Sequence, residues 1–340
     1  MNVLVTGGLG YIGSHIVVDL LNSQFKVAVV DNLSNSNINV KNKIEFLTKR
    51  KIKFYECDIC DDESINTIFN NNDFYAVIHL AGLKSVAESI QEPIRYYANN
   101  LEGTLCVIKN SIKYNVKKFV FSSSATVYGL PERIPLDESC QVGKTINPYG
   151  TSKFFSEQIL HDIANANSQI DITILRYFNP VGAHSSMSIG EDPRGIPSNL
   201  VPYITKVAAG KLPFLSIFGG DYDTKDGTGV RDYIHVMDLA KGHIAALRMA
   251  ADSSKSNFHI YNLGTGKGYS VLELVNIFET ITGKKVNYKI CDRRKGDVAE
   301  CWSDPSLALE ELHWKAEKDL SDMLKDAWAW EMRDVIPQEE

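Results

Sequence analysis

The sequence lacks the features that mark membrane, secreted and nucleic-acid-binding proteins. No apolar run approaches the about 20 residues that a membrane-spanning helix needs. The first residues, MNVLVTGG, contain no basic stretch followed by an apolar one, so we expect no signal peptide and a cytoplasmic location. The net charge is −6 and no block of lysines and arginines stands out, which argues against a partner made of nucleic acid.

Cysteine is scarce and scattered, which argues against a disulfide framework. The six cysteines are Cys57, Cys60, Cys106, Cys140, Cys291 and Cys301. Cys57 and Cys60 form a CxxC pair, but no second pair of cysteines or histidines completes a zinc site. We therefore expect reduced thiols and no bound metal.

What the sequence does contain is an alternation of short β-branched runs and longer helical stretches in its first half. The predicted strands are 2–6, 26–31, 53–57, 76–79, 119–123 and 172–177, and the predicted helices are 13–24, 64–70, 97–114 and 148–165. This alternation predicts an α/β fold with a parallel sheet and right-handed crossovers. After about residue 180, loops rich in Gly, Pro and Asp predict a smaller lobe, in which YSVLELVNIFETITG forms an amphipathic helix.

The segment TGGLGYIGSH carries a glycine pattern that binds dinucleotides. Gly7, Gly8, Gly10 and Gly13 satisfy both GxxGxxG and GxGxxG, directly after a predicted strand and at the start of a predicted helix. Glycine permits a tight turn, close approach of the backbone to a pyrophosphate, and close packing of the helix on the strand. The pyrophosphate would lie at the N-terminus of the helix that begins near Tyr11. The alternative is a purely structural glycine turn.

Two acidic residues indicate which dinucleotide is bound. Asp31 ends the second predicted strand, 18 residues after Gly13, where an acid binds the adenosine ribose of NAD. No arginine or lysine lies between Asp31 and Val40 to accept a 2′-phosphate, so NAD is favoured over NADP. Asp58, after the third strand, is placed either to contact adenine or only to stabilise a turn.

Tyr149 and Lys153 form a pair suited to proton transfer. Asn147 predicts a helix N-cap and Pro148 the first helical residue. The i, i+4 spacing then places the phenol and the ammonium on one helix face. Because a free phenol has a pKa of about 10, a nearby cation is needed to favour the phenolate near neutral pH. The alternatives are a half-buried packing tyrosine and a solvated lysine, and the three serines at 122–124 are equally available as a third group.

The longer motifs together resemble a known family. The motifs that carry the resemblance are TGGLGYIGSH, HLAGLKSVAES, FSSSATVYG, NPYGTSK, RYFNPVGAH and GVRDYIHVMD. They are similar to the extended short-chain dehydrogenase/reductase superfamily, and within it to the UDP-glucose (UDP-galactose) 4-epimerase family. The resemblance implies a Rossmann-type doubly wound parallel sheet that holds NAD at 1–180, and a smaller C-terminal α/β lobe for a UDP-sugar at 181–340, with some chain returning to the first domain. It also implies a homodimer.

The resemblance further implies roles for individual residues. Tyr149 would be the base, Lys153 its partner and Ser124 the third catalytic group. The cofactor-binding residues that it implies are Gly7, Gly10, Tyr11, Ile12, Gly13, Asp31, Asn32, Asn35, Asp58, Ile59, Leu80, Ala81, Gly82, Lys84, Asn99, Tyr149, Lys153 and Phe178. The substrate-binding residues that it implies are Ser124, Asn179, Asn199, Leu200, Phe218, Arg231, Tyr233, Arg294, Asp297 and Cys301.

The expected reaction is inversion of C4 of a UDP-hexose through a 4-keto intermediate. The C4 proton of a hexose is not acidic, so oxidation is the accessible route. The Tyr149 phenolate would take the C4 hydroxyl proton as hydride moves to NAD, and the hydride would later return to the opposite face of the sugar. Arg231 and Arg294 can hold the diphosphate with planar forks of donors, although each alone can instead form a surface ion pair. Phe218 would pack against uracil, and Asp297 would bind the ribose hydroxyls.

Cys301 bears on which sugars fit. In the resembled family this position lines the pocket beside the C2 substituent; selective members often carry tyrosine there, and members that accept N-acetylated sugars carry a smaller residue. A thiol in place of a phenol would leave room for an acetamido group. We therefore predict activity on the UDP-GlcNAc/UDP-GalNAc pair as well as on UDP-glucose and UDP-galactose. The alternative is a small buried hydrophobic residue without consequence.

Two rival functions stay open at this point. A nucleotide-sugar dehydratase of the same superfamily would typically carry Asp-Glu after the serine, whereas Ser124 is followed by Ala125 and Thr126. A non-catalytic NAD-binding regulator would usually lack the tyrosine or the lysine of the pair.

Overall fold

The protein is an α/β structure with thirteen strands in its described parts. The computed structural model describes residues 1–192, 195, 197, 199–249, 256–294 and 296–333. The strands are β1 (Asn2–Thr6), β2 (Lys26–Asp31), β3 (Lys53–Glu56), β4 (Ala76–His79), β5 (Lys118–Ser124), β6 (Asp171–Tyr177), β7 (Asn179–Val181), β8 (Leu215–Phe218), β9 (Val230–His235), β10 (Phe258–Leu263), β11 (Gly268–Ser270), β12 (Tyr288–Cys291) and β13 (Glu300–Cys301).

Seven of these strands form one parallel sheet, in the order β10-β6-β5-β4-β1-β2-β3. The β4 strand and nearly all of β1 are buried, as their uninterrupted apolar sequences predict for strands covered on both faces. The order reverses between β1 and β4, and in such sheets ligands bind at the carboxyl ends of the strands near this reversal. The predicted Rossmann-type doubly wound α/β class is confirmed.

Helices pack on both faces of the sheet. The helices are α1 (Tyr11–Asn22), α2 (Asn39–Thr48), α3 (Asp62–Asn70), α4 (Val86–Gln91), α5 (Pro93–Tyr97), α6 (Gly103–Lys113), α7 (Pro148–Ala166), α8 (Leu200–Ala208), α9 (Val236–Arg248), α10 (Val271–Thr282), α11 (Ser306–Leu312) and α12 (Leu320–Glu331). One face is covered by α1, α2 and α9, whose Ile16, Ile44 and Leu239 are fully buried. The other is covered by α3, α6 and α7 through residues such as Val107 and Leu160.

A smaller set of elements forms a second core. The strands β11, β9 and β13 are paired in that order, β7 also pairs with β9, and β8 pairs with β12. Helices α8, α10 and α12 pack here through side chains such as Ile204, Phe278 and Leu324. The amphipathic helix predicted from YSVLELVNIFETITG is confirmed as α10, which begins with a capping box at Ser270 and Glu273.

The chain after residue 180 contributes to both sheets. The strand β10 pairs with β6 at the edge of the large sheet, and α9 packs against α1. The division at residues 180 and 181 stays a prediction, and parts of the predicted lobe, 251–255 and 334–340 among them, lie outside the described residues. Within the described ranges, no helix is long and apolar enough to cross a membrane.

The predicted helix at 97–114 is not one regular helix. A π-helical segment, Ala98–Glu102, precedes α6, and the short helices α4 and α5 come before it. π-helical turns occur often at functional sites because they displace side chains from regular spacing. Here the side chain of Asn100 within the segment accepts a hydrogen bond from Leu83 N at 2.8 Å and donates to Leu83 O at 3.1 Å, which fixes the loop after β4.

Candidate active site

Helix α7 presents Tyr149 and Lys153 from its first two turns toward the end of β5. The predicted N-cap is confirmed, since the Asn147 side chain accepts a hydrogen bond from Gly150 N at 2.8 Å and Pro148 is the first helical residue. Both Tyr149 and Lys153 are buried. The helix that Asn147 and Pro148 begin therefore holds Tyr149 and Lys153 against the sheet rather than in solvent.

The Lys153 ammonium is held in a defined position. Its Nζ donates to Ser122 O at 2.8 Å and lies 4.7 Å from the centre of the Phe121 ring. Burial lowers the pKa of Lys153 to about 8, and the charge of Glu157 opposes this change. The lysine thus carries its charge at neutral pH but lies close to the pH range in which it would lose it.

The Tyr149 phenol contacts Ser124. Burial raises the pKa of Tyr149, and the hydrogen bond with the Ser124 hydroxyl opposes the rise. This direction differs from the depression expected from Lys153, because the buried environment outweighs other effects and the lysine donates to the Ser122 carbonyl. Burial therefore favours the neutral phenol over the phenolate in the protein without its ligands.

The geometry distinguishes the three serines at the end of β5. The Ser122 hydroxyl is 3.0 Å from His243 Nε2, and Ser123 Oγ donates to Glu157 Oε1 at 2.5 Å. Ser124 alone of the three contacts Tyr149, while its Oγ accepts from Thr126 N at 3.2 Å. The geometry therefore favours Ser124, which the residues alone could not select.

The glycine turn between β1 and α1 has no room for side chains at Gly7 and Gly13. Gly7 has a φ of +68° and donates from its N–H to Val30 O at 2.7 Å. A Cβ on Gly13 would lie 2.2 Å from Gly7 O, so α1 can pack this close to the turn only if residue 13 is glycine. Gly10 provides the N-cap position of α1 without a capping side chain, which leaves the first-turn N–H groups for a ligand such as a pyrophosphate.

Alanine at these glycines should separate folding from cofactor binding. We expect Gly13→Ala to destabilise the protein and abolish NAD binding because of the clash with Gly7. Gly10→Ala, whose Cβ would meet only Gly7 O at 3.3 Å, should keep a near-normal melting temperature and still lose most bound NAD. Melting curves and the NAD content of the purified variants measure both effects. Normal NAD content in Gly10→Ala would contradict the assignment of the turn.

Asp31 organises the loop after β2. Its carboxylate accepts from Leu9 N at 3.0 Å, Leu33 N at 3.0 Å and Ser36 Oγ at 2.7 Å. Asp31 is buried at the end of β2, next to the glycine turn, as a ribose-binding acid should be. These bonds hold the carboxylate in one orientation.

Asp58 and Asn32 face each other at the same edge of the sheet. Asn32 Nδ2 donates to Asp58 Oδ2 at 2.8 Å, and Asp58 Oδ1 accepts from Cys60 N at 2.9 Å. Asp58 thus stabilises a turn, one of its two proposed roles, and is also exposed, as is Asn35.

The remaining predicted cofactor residues lie near the carboxyl ends of β1, β3, β4 and β6. Leu80, Ala81 and Gly82 directly follow β4, and Asn99 belongs to the π-helical segment. The Tyr11 hydroxyl donates to Gly182 O at 2.7 Å. Three others also lie in this region of the fold: Ile12 in the first turn of α1, Ile59 buried after β3, and Phe178 buried after β6.

Four predicted substrate residues meet around β9. In the register of the small sheet, Asn179 is paired with Tyr233 and Cys301 with Arg231. Cys301 also packs against a cluster that contains Phe178. Burial raises the pKa of Cys301 to about 11, so the thiol is neutral. The structure thus joins the small sheet to the catalytic end of the large one.

A second group of substrate residues lies at the end of β8 and after β12. The Arg294 guanidinium is 4.7 Å from the centre of the Phe218 ring, and its Nε donates to Asp297 Oδ2 at 3.2 Å. All three are at least partly exposed. Arg231 differs, since its guanidinium donates to backbone carbonyls, including Val298 O at 2.8 Å. These bonds fix it in place, and among the described residues no acid forms an ion pair with it.

Comparison with known proteins shows the family. Residues 3–264 match the model of the NAD dependent epimerase/dehydratase family. The chain belongs to this family. It is 58% identical over 334 residues to the UDP-glucose 4-epimerase of Pasteurella multocida (strain Pm70), covering 98% of each chain.

Two solved structures are similar to this member of the epimerase/dehydratase family. The UDP-glucose 4-epimerase from Bifidobacterium longum, in complex with NAD+ and UDP, superposes with a TM-score of 0.95 at 49% identity and covers 98% of this chain and 99% of that one. The UDP-Glc/GlcNAc 4-epimerase from Campylobacter jejuni gives a TM-score of 0.84 at 36% identity, covering 98% and 99%.

Sequence reasoning missed one residue that links the two predicted sets in this family member. Glu191 is largely buried; its Oε1 is 3.6 Å from Lys84 Nζ and accepts from Asn199 Nδ2 at 2.5 Å. Lys84 was predicted to bind the cofactor, and Asn199, directly before Leu200 at the start of α8, to bind the substrate. Glu191 lies in a Gly/Pro-rich loop where no periodicity singles it out.

Among the described residues, no cluster of His, Cys, Asp and Glu could hold a metal.

Proposed function

We propose that this chain is an NAD-dependent UDP-glucose 4-epimerase, which interconverts UDP-glucose and UDP-galactose. The observation that carries the proposal is the buried Tyr149–Lys153 pair at the end of β5, with Ser124 hydrogen-bonded to the phenol. It occurs in a chain that matches the P. multocida UDP-glucose 4-epimerase over 98% of its length.

The residues of the glycine turn fit NAD. The side-chain-free N-terminus of α1 suits a pyrophosphate, and the oriented carboxylate of Asp31 suits a ribose diol. Gly7, Gly10, Gly13 and Asp31 would therefore hold the cofactor, whose chemistry is to accept hydride from the sugar and return it. Two solved relatives, the UDP-glucose 4-epimerases from Bifidobacterium longum and Stenotrophomonas maltophila, contain bound NAD.

Tyr149 would move the proton of the C4 hydroxyl. Its hydroxyl contacts Ser124, so a sugar hydroxyl that reaches both side chains can pass its proton to the phenolate along a hydrogen bond. Lys153, charged at neutral pH and fixed by Ser122 O, would favour the phenolate as the proton leaves the sugar. Since the phenol is buried, this proton is protected from exchange with bulk water while the ketose is present.

The small sheet and the loops beside it would hold the UDP group. Arg231 presents a guanidinium fixed by backbone carbonyls, and Arg294 lies over Phe218; both suit the diphosphate, whose charge a planar fork binds in two places. Phe218 offers an exposed ring face for uracil, and Asp297 offers a carboxylate for ribose hydroxyls. The overall charge of −6 means that phosphate binding relies on these local cations.

The proposal extends to UDP-GlcNAc and UDP-GalNAc. Cys301 is paired with Arg231 in the sheet and packs against the cluster with Phe178, which supports a position of its small thiol beside the predicted sugar pocket. A larger side chain there would fill the space that an acetamido group needs. A solved relative from C. jejuni is named for activity on both UDP-Glc and UDP-GlcNAc.

Incubation of the purified protein with each UDP-sugar, with no added NAD, tests the function. We expect UDP-galactose to yield UDP-glucose and UDP-GalNAc to yield UDP-GlcNAc, identified by chromatography of the products. Conversion of UDP-galactose alone would support the epimerase and remove the extension to acetylated sugars. No conversion of either, even with NAD supplied, would contradict the proposal in favour of a dehydratase or a regulator; a dehydrated keto-sugar product would identify the former.

We also propose a homodimer formed through the helices on the α7 face of the sheet. Ile94 on α5, Leu105 on α6 and Phe155 on α7 are 84%, 44% and 44% exposed, so the helices of this face offer large apolar side chains to a second copy. We expect Leu105→Glu to give monomers in light scattering at concentrations where the unmodified protein is dimeric. Leu309→Glu, at a leucine 52% exposed on α11, is the matched control and should stay dimeric. A monomeric unmodified protein would contradict the proposal.

A further inference from the structure

A buried ion pair lies behind the catalytic groups and takes no part in the proposed proton transfer. Arg176 on β6 donates to Glu157 on α7, with Nη2 2.6 Å from Oε2 and Nε 3.1 and 3.2 Å from the two carboxylate oxygens. The side chains are 3% and 2% exposed. Removing two charges from water is costly, so such a pair is maintained only with near-ideal geometry, and it gives weak evidence for stability alone. Its place in the fold indicates another use.

Glu157 continues the row of catalytic residues on α7. Tyr149, Lys153 and Glu157 follow one another at i, i+4 and i+8, and all three are buried against the sheet. Ser123 Oγ donates to Glu157 Oε1 at 2.5 Å, and Ser123 is the register partner of Arg176 on the neighbouring strand. Two adjacent strands thus bind the helix one turn beyond the catalytic lysine.

Arg176 also reaches the segment that carries Ser124. Its Nη1 donates to the Tyr128 hydroxyl at 3.2 Å, and that hydroxyl donates to Asn262 Oδ1 at 2.7 Å. Tyr128 ends the 3₁₀ turn Ala125–Tyr128, which begins directly after Ser124. One guanidinium therefore contacts both the helix of Tyr149 and Lys153 and the turn that follows Ser124.

We propose that Arg176 and Glu157 are positioning residues of the epimerase reaction, which join α7 to the turn after β5 so that Tyr149, Lys153 and Ser124 converge. The inference rests on the proposed function and deepens it. The residues act through the groups they hold, because neither of them contacts Tyr149 or Ser124 directly among the described hydrogen bonds.

Glu157 has a second, electrostatic effect on the same site. Its carboxylate raises the pKa of Lys153 against the effect of burial, which lowers that pKa to about 8. Tyr149, one turn earlier on α7, and His79 of β4 are further titratable groups near Lys153, and the charge of Arg176 is paired with Glu157. His79 is neutral near pH 7 because burial lowers its pKa to about 3. Loss of the Glu157 charge would therefore lower the Lys153 pKa further, and the active, protonated lysine would be lost at a lower pH.

Two variants separate positioning from charge. We expect Glu157→Gln to lower kcat on UDP-galactose by about tenfold to a hundredfold with little change in KM, since small displacements of catalytic groups have effects of this size. In this variant, the fall of kcat at alkaline pH should begin at a lower pH than in the unmodified protein. Arg176→Lys keeps the charge but not the fork of donors, so kcat should fall while the pH of its alkaline fall stays unchanged. If Glu157→Gln fails to fold, Ser123→Ala, which removes one hydroxyl, should lower kcat several-fold at an unchanged melting temperature.

The chain offers a matched control on the same two strands. Lys118 and Asp171 are register partners at the opposite end of β5 and β6, and their ion pair of 3.1 Å is also largely buried. Asp171→Asn should lower the melting temperature without changing kcat or the pH profile. An equal loss of kcat in this control, or full kcat in Glu157→Gln, Arg176→Lys or Ser123→Ala, would overturn the inference. An unmodified protein without turnover would contradict the proposed function itself, and this inference with it.

Discussion

Replacing Tyr149 with phenylalanine is expected to lower kcat on UDP-galactose by about a thousandfold or more, because a positioned general base contributes on this scale. The change removes one hydroxyl and leaves the ring, which is buried against the sheet next to Ser124, so the fold should persist. Bound NAD should also persist, because the glycine turn and Asp31 are untouched. Turnover is measured by product analysis, and NAD content after denaturation of the purified variant.

A second buried tyrosine provides the control for Tyr149→Phe. Tyr261 on β10 donates to Glu311 Oε2 at 2.5 Å and packs in the core on the face of the large sheet that α1 and α9 cover, opposite to α7. Tyr261→Phe should lose stability through the unpaired carboxylate and keep nearly normal kcat. If Tyr149→Phe kept more than about a tenth of normal kcat, the phenol would not be the base and Ser124 would be the next candidate.

The large sheet could be predicted well from local sequence because its strands are buried on both faces. The predicted strands at 2–6, 26–31 and 76–79 coincide with β1, β2 and β4. Continuous apolar runs such as VAVV are typical of strands that are buried on both faces of a parallel sheet. The start of α7 could be predicted because Asn147 and Pro148 act through their own backbone and side chain. Helix α2 was missed because its sequence is largely polar, and only Ile44 of its ten residues is buried.

What could not be predicted depends on contacts between distant segments. Which serine faces Tyr149 is decided by the pleat of β5, by Glu157 and by His243, the last of which lies more than a hundred residues away. The ion pair between Arg176 and Glu157 has no signature in either segment, because a buried charge is recognisable only with its partner. The π-helical segment that contains Asn99 likewise interrupts the stretch 97–114, for which the sequence predicted one regular helix.

Cys301→Tyr is expected to produce the largest change in specificity. Activity on UDP-GalNAc should fall by about a hundredfold or more, while activity on UDP-galactose stays within a few-fold, because the phenol would occupy the space of the acetamido group without touching the catalytic pair. The ratio of kcat/KM for the two sugars is the measurement. It cancels any general loss of folding or cofactor, since both sugars use the same enzyme molecules.

The surroundings of Cys301 explain why size rather than thiol chemistry should matter. The thiol is neutral because burial raises its pKa, and its neighbours in the cluster, Ala125 and Phe178 among them, are apolar. Cys301→Ala, which is still smaller, should therefore accept both sugars and serve as the matched control. Equal loss on both sugars in Cys301→Tyr would mean that the residue supports the pocket wall and Arg231 beside it, rather than selecting the C2 substituent. Loss of UDP-GalNAc activity in Cys301→Ala would instead mean that the thiol itself contacts the acetamido group.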